Sequence, residues 1–97
     1  MRTALATDDG DPLGPRITTF RCKDFADAVA PAERFISGYA ALVILEAEGP
    51  PGRRIVDFCA GTAFGGRGTF ERIAPLRYLM TPAGVEISAP QRSELTK

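Results

Sequence analysis

The chain has 97 residues, 12 basic and 12 acidic side chains, and 44% hydrophobic residues. That is enough for one domain, which at this size buries only about 60–65% of its unfolded surface. Balanced charge weakens the case for nucleic-acid binding driven by bulk charge and leaves a local basic patch open. The absence of histidine and of any Cys-x-x-Cys excludes Cys/His zinc sites.

Residues 1–15 hold Asp8, Asp9, Gly10, Asp11, Pro12, Gly14 and Pro15, which is turn and linker chemistry. A disordered segment is expected there, with no apolar run of signal-peptide length. No stretch of the chain approaches the ~18 apolar residues that cross a bilayer, so a cytoplasmic protein is expected. Residues 17–22 read as a strand. Asp24 can cap a helix whose apolar stripe is Phe25, Ala28, Val29, Ala32, Phe35 and Ile36. Pro31 lies inside it and should kink or restart it, and Gly38 is a plausible stop. The continuous apolar run 41–45 suits a strand buried on both faces.

Gly49-Pro50-Pro51-Gly52 forms a loop, with Pro51 placed to open a second helix over residues 52–66. Two strands, 69–73 and 76–80, follow as a hairpin around Ala74-Pro75. A short strand over 85–87 ends the fold, and the tail that opens at Ala89-Pro90 should fray. The expected organisation is a disordered 1–15, a globular 16–88 and a flexible 89–97. The expected fold is an α+β two-layer sandwich, with two helices on one face of a mixed sheet of about five strands. Cys22 and Cys59 read as reduced, buried, small apolar residues.

The second helix is the informative segment. At ~100° per residue, Ile55, Val56, Cys59, Ala60, Ala63 and Phe64 share the half expected to face the sheet. Phe58, Gly61, Thr62 and Gly65 form a second stripe. Glycine inside a helix costs about 1 kcal/mol relative to alanine but lets another backbone approach closely. A helix apolar on two sides in so small a chain points to a second chain on its outer side. The alternative is that Phe58 tucks against the first helix. Gly61, Gly65 and Gly68 are therefore candidate self-association residues. Gly68 is expected to need a positive φ or close contact with a neighbouring chain.

The glycines 61, 65, 66 and 68 fit neither a phosphate loop nor a dinucleotide fingerprint. Without histidine, Glu71 and Glu86 are too little to propose an acid–base pair, so no enzyme and no cofactor are expected. Arg53, Arg54, Arg67, Arg72 and Arg77 read either as a solvated rim or as a means to capture a carboxylate-bearing peptide. Arg53, Arg54, Phe58, Gly61 and Thr62 are the candidate partner-binding set.

The stretch from Arg54 through Ile55-Val56-Asp57-Phe58 and Gly61-Thr62 to Gly65 resembles the SepF family of cell-division proteins. Glu71-Arg72-Ile73, Met80-Thr81-Pro82 and Val85-Glu86-Ile87 continue the resemblance in order. It implies a compact, non-enzymatic domain without cofactor that forms homodimers or larger assemblies and holds the C-terminal peptide of the tubulin-like protein FtsZ. Association with other SepF-like proteins and a place at the division site follow from the same resemblance. The family's amphipathic membrane helix has no counterpart in residues 1–15, so no direct membrane insertion is expected. The competing reading is a homodimeric regulatory domain that binds a small ligand between subunits.

Overall fold

The computed structural model describes residues 6–8 and 15–97. Strand β2 (Ile17–Cys22) leads through a 3-10 turn (Phe25–Ala28) into helix α1 (Val29–Ile36) and strand β3 (Ala40–Leu45). Helix α2 (Pro50–Gly65), strands β4 (Thr69–Ala74) and β5 (Arg77–Thr81), and helix α3 (Ala89–Leu95) follow. The four main strands lie in the order β2-β3-β5-β4, and a three-residue strand, β1 (Ala6–Asp8), adds to the β2 edge. β2 and β3 are parallel, and the remaining pairs are antiparallel.

The α+β mixed sheet is as expected, with three differences. Residues 85–87 form no strand. Ile87 instead packs against the second apolar cluster as the chain crosses towards α3. The segment 89–97, expected to be a flexible tail, carries α3. Ser88 caps that helix: the Gln91 N–H donates to Ser88 Oγ at 3.2 Å. Disorder over 1–15 was expected; within it, Ala6–Asp8 pairs with β2, while residues 1–5 and 9–14 lie outside the described residues.

All six residues of β3 are buried, because both sheet faces are covered. On one face Phe20, Val43 and Met80 meet Phe35 of α1 and Ile55, Cys59 and Ala63 of α2. On the other, Ile17, Leu42, Ile44 and Leu79 meet Leu95 of α3. The Nε2–H of Gln91 donates to the Pro15 carbonyl at 2.6 Å and ties α3 to the start of β2.

Pro31 does restart the first helix. The 3-10 turn ends at Ala28, so Pro31 falls in the first turn of α1, where a missing N–H costs no hydrogen bond. Asp24 is the N-cap of the 3-10 turn, and Asp27 at the third position completes a capping box with it. The Asp27 carboxylate accepts from the amides of Lys23 (2.8 Å) and Asp24 (3.3 Å).

Helix α2 ends in a Schellman turn. The Gly68 N–H donates to the Ala63 carbonyl at 2.9 Å, and the Arg67 N–H donates to Phe64 at 3.1 Å. The left-handed position of this turn is held by Arg67, at φ 63°, and not by Gly68. Arg67→Gly should therefore raise stability by about 0.5–1 kcal/mol, because it removes a Cβ penalty that exceeds the added entropy of the unfolded chain. Urea denaturation would show it, and an unchanged or lower midpoint would contradict it.

Cys22 and Cys59 are free, fully buried and members of one cluster. Burial pushes both thiols up to about 12, with the neighbouring Cys59 adding to the effect at Cys22. A thiol pKa raised on folding holds stability below its ordinary value of 9.0 and loses it as pH climbs towards 12. The melting temperature should fall across that window. A Cys22→Ala/Cys59→Ala double variant should fall less steeply, and equal slopes would contradict the account.

Candidate partner-binding site

Helix α2 places its residues on four sides. Gly52, Ile55, Cys59 and Ala63 face the sheet and are buried. Gly52 can hold no side chain there, since a Cβ would lie 2.5 Å from the Ala47 carbonyl oxygen. Phe58 and Arg54 lie on the flank beside the 3-10 turn. The rings of Phe25 and Phe58 meet edge to face, with centroids 5.3 Å apart and planes at 72°. The Arg54 guanidinium sits over the Phe25 ring, 4.7 Å from its centroid. Each ring is 38% exposed, and Val29 alongside is 42% exposed. Phe58 thus packs on the first helical segment and remains partly exposed.

The structure divides the residues grouped from the sequence. Arg54, Phe58 and Thr62 share that flank. The Thr62 hydroxyl donates to the Phe58 carbonyl at 3.0 Å, so its oxygen is tied to its own helix. Arg53 lies on the opposite flank, in a groove between α2 and the β4–β5 hairpin that also takes in Val56, Asp57, Leu76 and Tyr78. Neighbours in sequence are ~100° apart on a helix, and that angle separates Arg53 from Arg54. Gly61 and Gly65 face outward, with nothing near the place of a Cβ.

Two expectations are corrected, that Phe64 faces the sheet and that Gly68 takes a positive φ. Phe64 is not a core residue but is 66% exposed. It sits at the outer limit of the half-circle assigned to the sheet, and the sheet reaches only as far as Ala63 and Cys59. Gly68 has no positive φ, and its close contacts are within its own chain, with Phe35 and the Thr81 carbonyl.

Phe25 and Val29, expected on the apolar stripe of the first helix, stand half-exposed beside the candidate site. A 3-10 turn advances ~120° per residue rather than ~100°, so four such residues swing Phe25 well out of the α-helical stripe. Among the described residues no group of three or more metal-ligating side chains comes together, and no helix is long and apolar enough to cross a membrane.

Residues 17–87 match the family model described as Cell division protein SepF. The chain is 36% identical over 97 residues to the Cell division protein SepF of Mycobacterium leprae (strain Br4923), covering 99% of this chain and 46% of that protein. It is equally similar to those of Mycobacteroides abscessus and Mycobacterium tuberculosis (strain H37Rv), covering 45% and 44% of their lengths. The chain thus spans less than half the length of the curated relatives it matches.

Proposed function

The chain belongs to the SepF family of cell-division proteins, and from that premise we propose that it is an adaptor that self-associates and holds the C-terminal peptide of FtsZ at the cytoplasmic division site. The observation that carries the reading is the half-exposed cluster of Phe25, Phe58 and Arg54 on one flank of α2. A partly exposed aromatic pair with a guanidinium stacked over one of its rings suits a peptide that presents apolar anchors beside carboxylates. The rings are held by each other, so little side-chain entropy remains to be lost on binding. Gly61 and Gly65 leave the outer side of the same helix open to another backbone, which supports self-association there.

Calorimetric titration of a synthetic FtsZ C-terminal peptide tests the reading. Phe58→Ala should lose about 1–3 kcal/mol of affinity, as expected for a truncated aromatic anchor. Arg54→Glu should weaken binding more at low salt than at high salt, because exposed charge contacts are screened. Arg54→Glu should melt close to the wild type, and Phe58→Ala should melt moderately lower, by the loss of its contact with Phe25, while remaining folded. Unchanged affinity together with a collapsed melting temperature for Phe58→Ala would make Phe58 a core residue and remove the site.

A further inference from the structure

The later motifs of the sequence have no part in the function proposed above. Glu71-Arg72-Ile73, Met80-Thr81-Pro82 and Val85-Glu86-Ile87 lie apart in the chain, and the fold brings members of each to one hollow on the α3 face of the sheet. Side chains alternate along a strand, so Thr69 and Glu71 of β4 and Thr81 of β5 share the face that Ile73 and Leu79 turn towards α3. Val85, Glu86 and Ile87 wall the hollow where the chain crosses to α3, and Arg92 of α3 closes it. Its volume is about 480 Å³, within the range of small-molecule sites.

Two groups in the hollow lack partners. Thr81 is 7% exposed, and its hydroxyl is the one buried side-chain polar atom among the described residues without a hydrogen bond. A buried hydroxyl left unpaired is destabilising, and rotation about χ1 exchanges it with the methyl group without moving the strand. Glu86 is exposed and has no ion-pair partner among the described residues. Glu71 is held in place, since Arg92 Nη1 donates to Glu71 Oε1 at 2.9 Å. That pair neutralises one carboxylate, so the hollow keeps one uncompensated negative charge, that of Glu86.

We propose that this hollow binds a primary alkylammonium group. An ammonium has three donors and no acceptor. The Glu86 carboxylate, the remaining lone pairs of Glu71 and the Thr81 hydroxyl supply an acceptor for each donor. One positive charge matches the one that is uncompensated. Val85 and Ile87 suit an alkyl stem rather than the hydration shell of a bare ion, and no group of three or more metal-ligating side chains comes together among the described residues. Helix α2 packs on the opposite face of the sheet, so the hollow and the Phe25–Phe58 flank do not overlap.

The test is an NMR titration of the isotopically labelled full chain with butylammonium chloride, at an ionic strength held constant with sodium chloride. Saturable shifts are expected at the amides of residues 69–71 and 81–87, with a dissociation constant on the order of 1 mM for so small a ligand. The uncharged 1-butanol should bind roughly tenfold more weakly or worse, because it lacks the charge-assisted hydrogen bonds. Thr81→Val keeps the shape of the side chain and removes the hydroxyl. It should melt at or above the wild type and bind butylammonium roughly tenfold more weakly. Glu86→Gln should melt with the wild type and lose a similar factor. Nα-acetyl-lysine amide and 1,4-diaminobutane separate the two sources of the group, a lysyl side chain of another protein and a free amine, by which binds more tightly. No saturable shift, equal affinity for 1-butanol, or wild-type affinity in either variant would overturn the proposal. So would a Thr81→Val protein that melts well below the wild type, because the hydroxyl would then have its partner within the fold.

Discussion

Phe35→Ala is expected to remove about 3–5 kcal/mol of stability, the largest effect of any single truncation considered for this chain. The ring is 4% exposed and is wedged between α1 and the turn that ends α2. A Cβ at Gly66 would lie 2.7 Å from it, and one at Gly68 only 2.6 Å. The wall it packs against is therefore bare backbone, fixed by the hydrogen bonds of the Schellman turn. Such a wall cannot move in to fill a hole, so the cavity left by truncation should remain largely open. A domain of this size holds only about 5–15 kcal/mol in total. Urea denaturation should show a large fall in midpoint without a change in slope. A loss under about 1 kcal/mol would mean that the site collapses and that the ring is not a wedge.

Gly68→Ala should cost about 3 kcal/mol or more, at the upper end of overpacking effects. Its Cβ would fall on the Thr81 carbonyl oxygen as well as on the Phe35 ring. Thr69, the next residue, pairs with Thr81 at the open end of the hairpin, so relief of the clash would prise β4 from β5. Any loss of assembly in a Gly68 variant is then a consequence of the damaged fold. Gly61→Ala is the contrast. Its Cβ meets nothing within 4 Å, so the helix should gain about 1 kcal/mol of propensity in the isolated chain. Thermal melting of the two variants checks both statements. Equal melting temperatures would show that Gly68 is an ordinary loop glycine.

These contrasts show what was legible in the sequence. Strands β2 and β3, helix α2 and the hairpin each have a strong period or bounding turn residues, and each appears where expected. The start of α3 was also written in the sequence, as Ser88 followed three residues later by Gln91 with Pro90 in the first turn. Pro90 was read as the start of a fraying tail, although proline there is compatible with opening a helix. Phe64 and Phe25 were misplaced for a shared reason. An apolar stripe shows which residues could face the core but not how far the sheet extends beneath them. Nor does it show that four residues wind as a 3-10 turn. The proposed peptide site depends on Phe25 meeting Phe58 across 33 positions of sequence, which no local pattern encodes.

The central claim is that the flank of α2 carrying Phe25, Phe58 and Arg54 receives the FtsZ tail. Its most direct test is an NMR titration of the isotopically labelled protein with the FtsZ C-terminal peptide. The account predicts saturable shifts concentrated at the amides of residues 25–29 and 54–62, with the α3 face of the sheet unmoved. No saturable shift, or shifts confined to the α3 face, would contradict it.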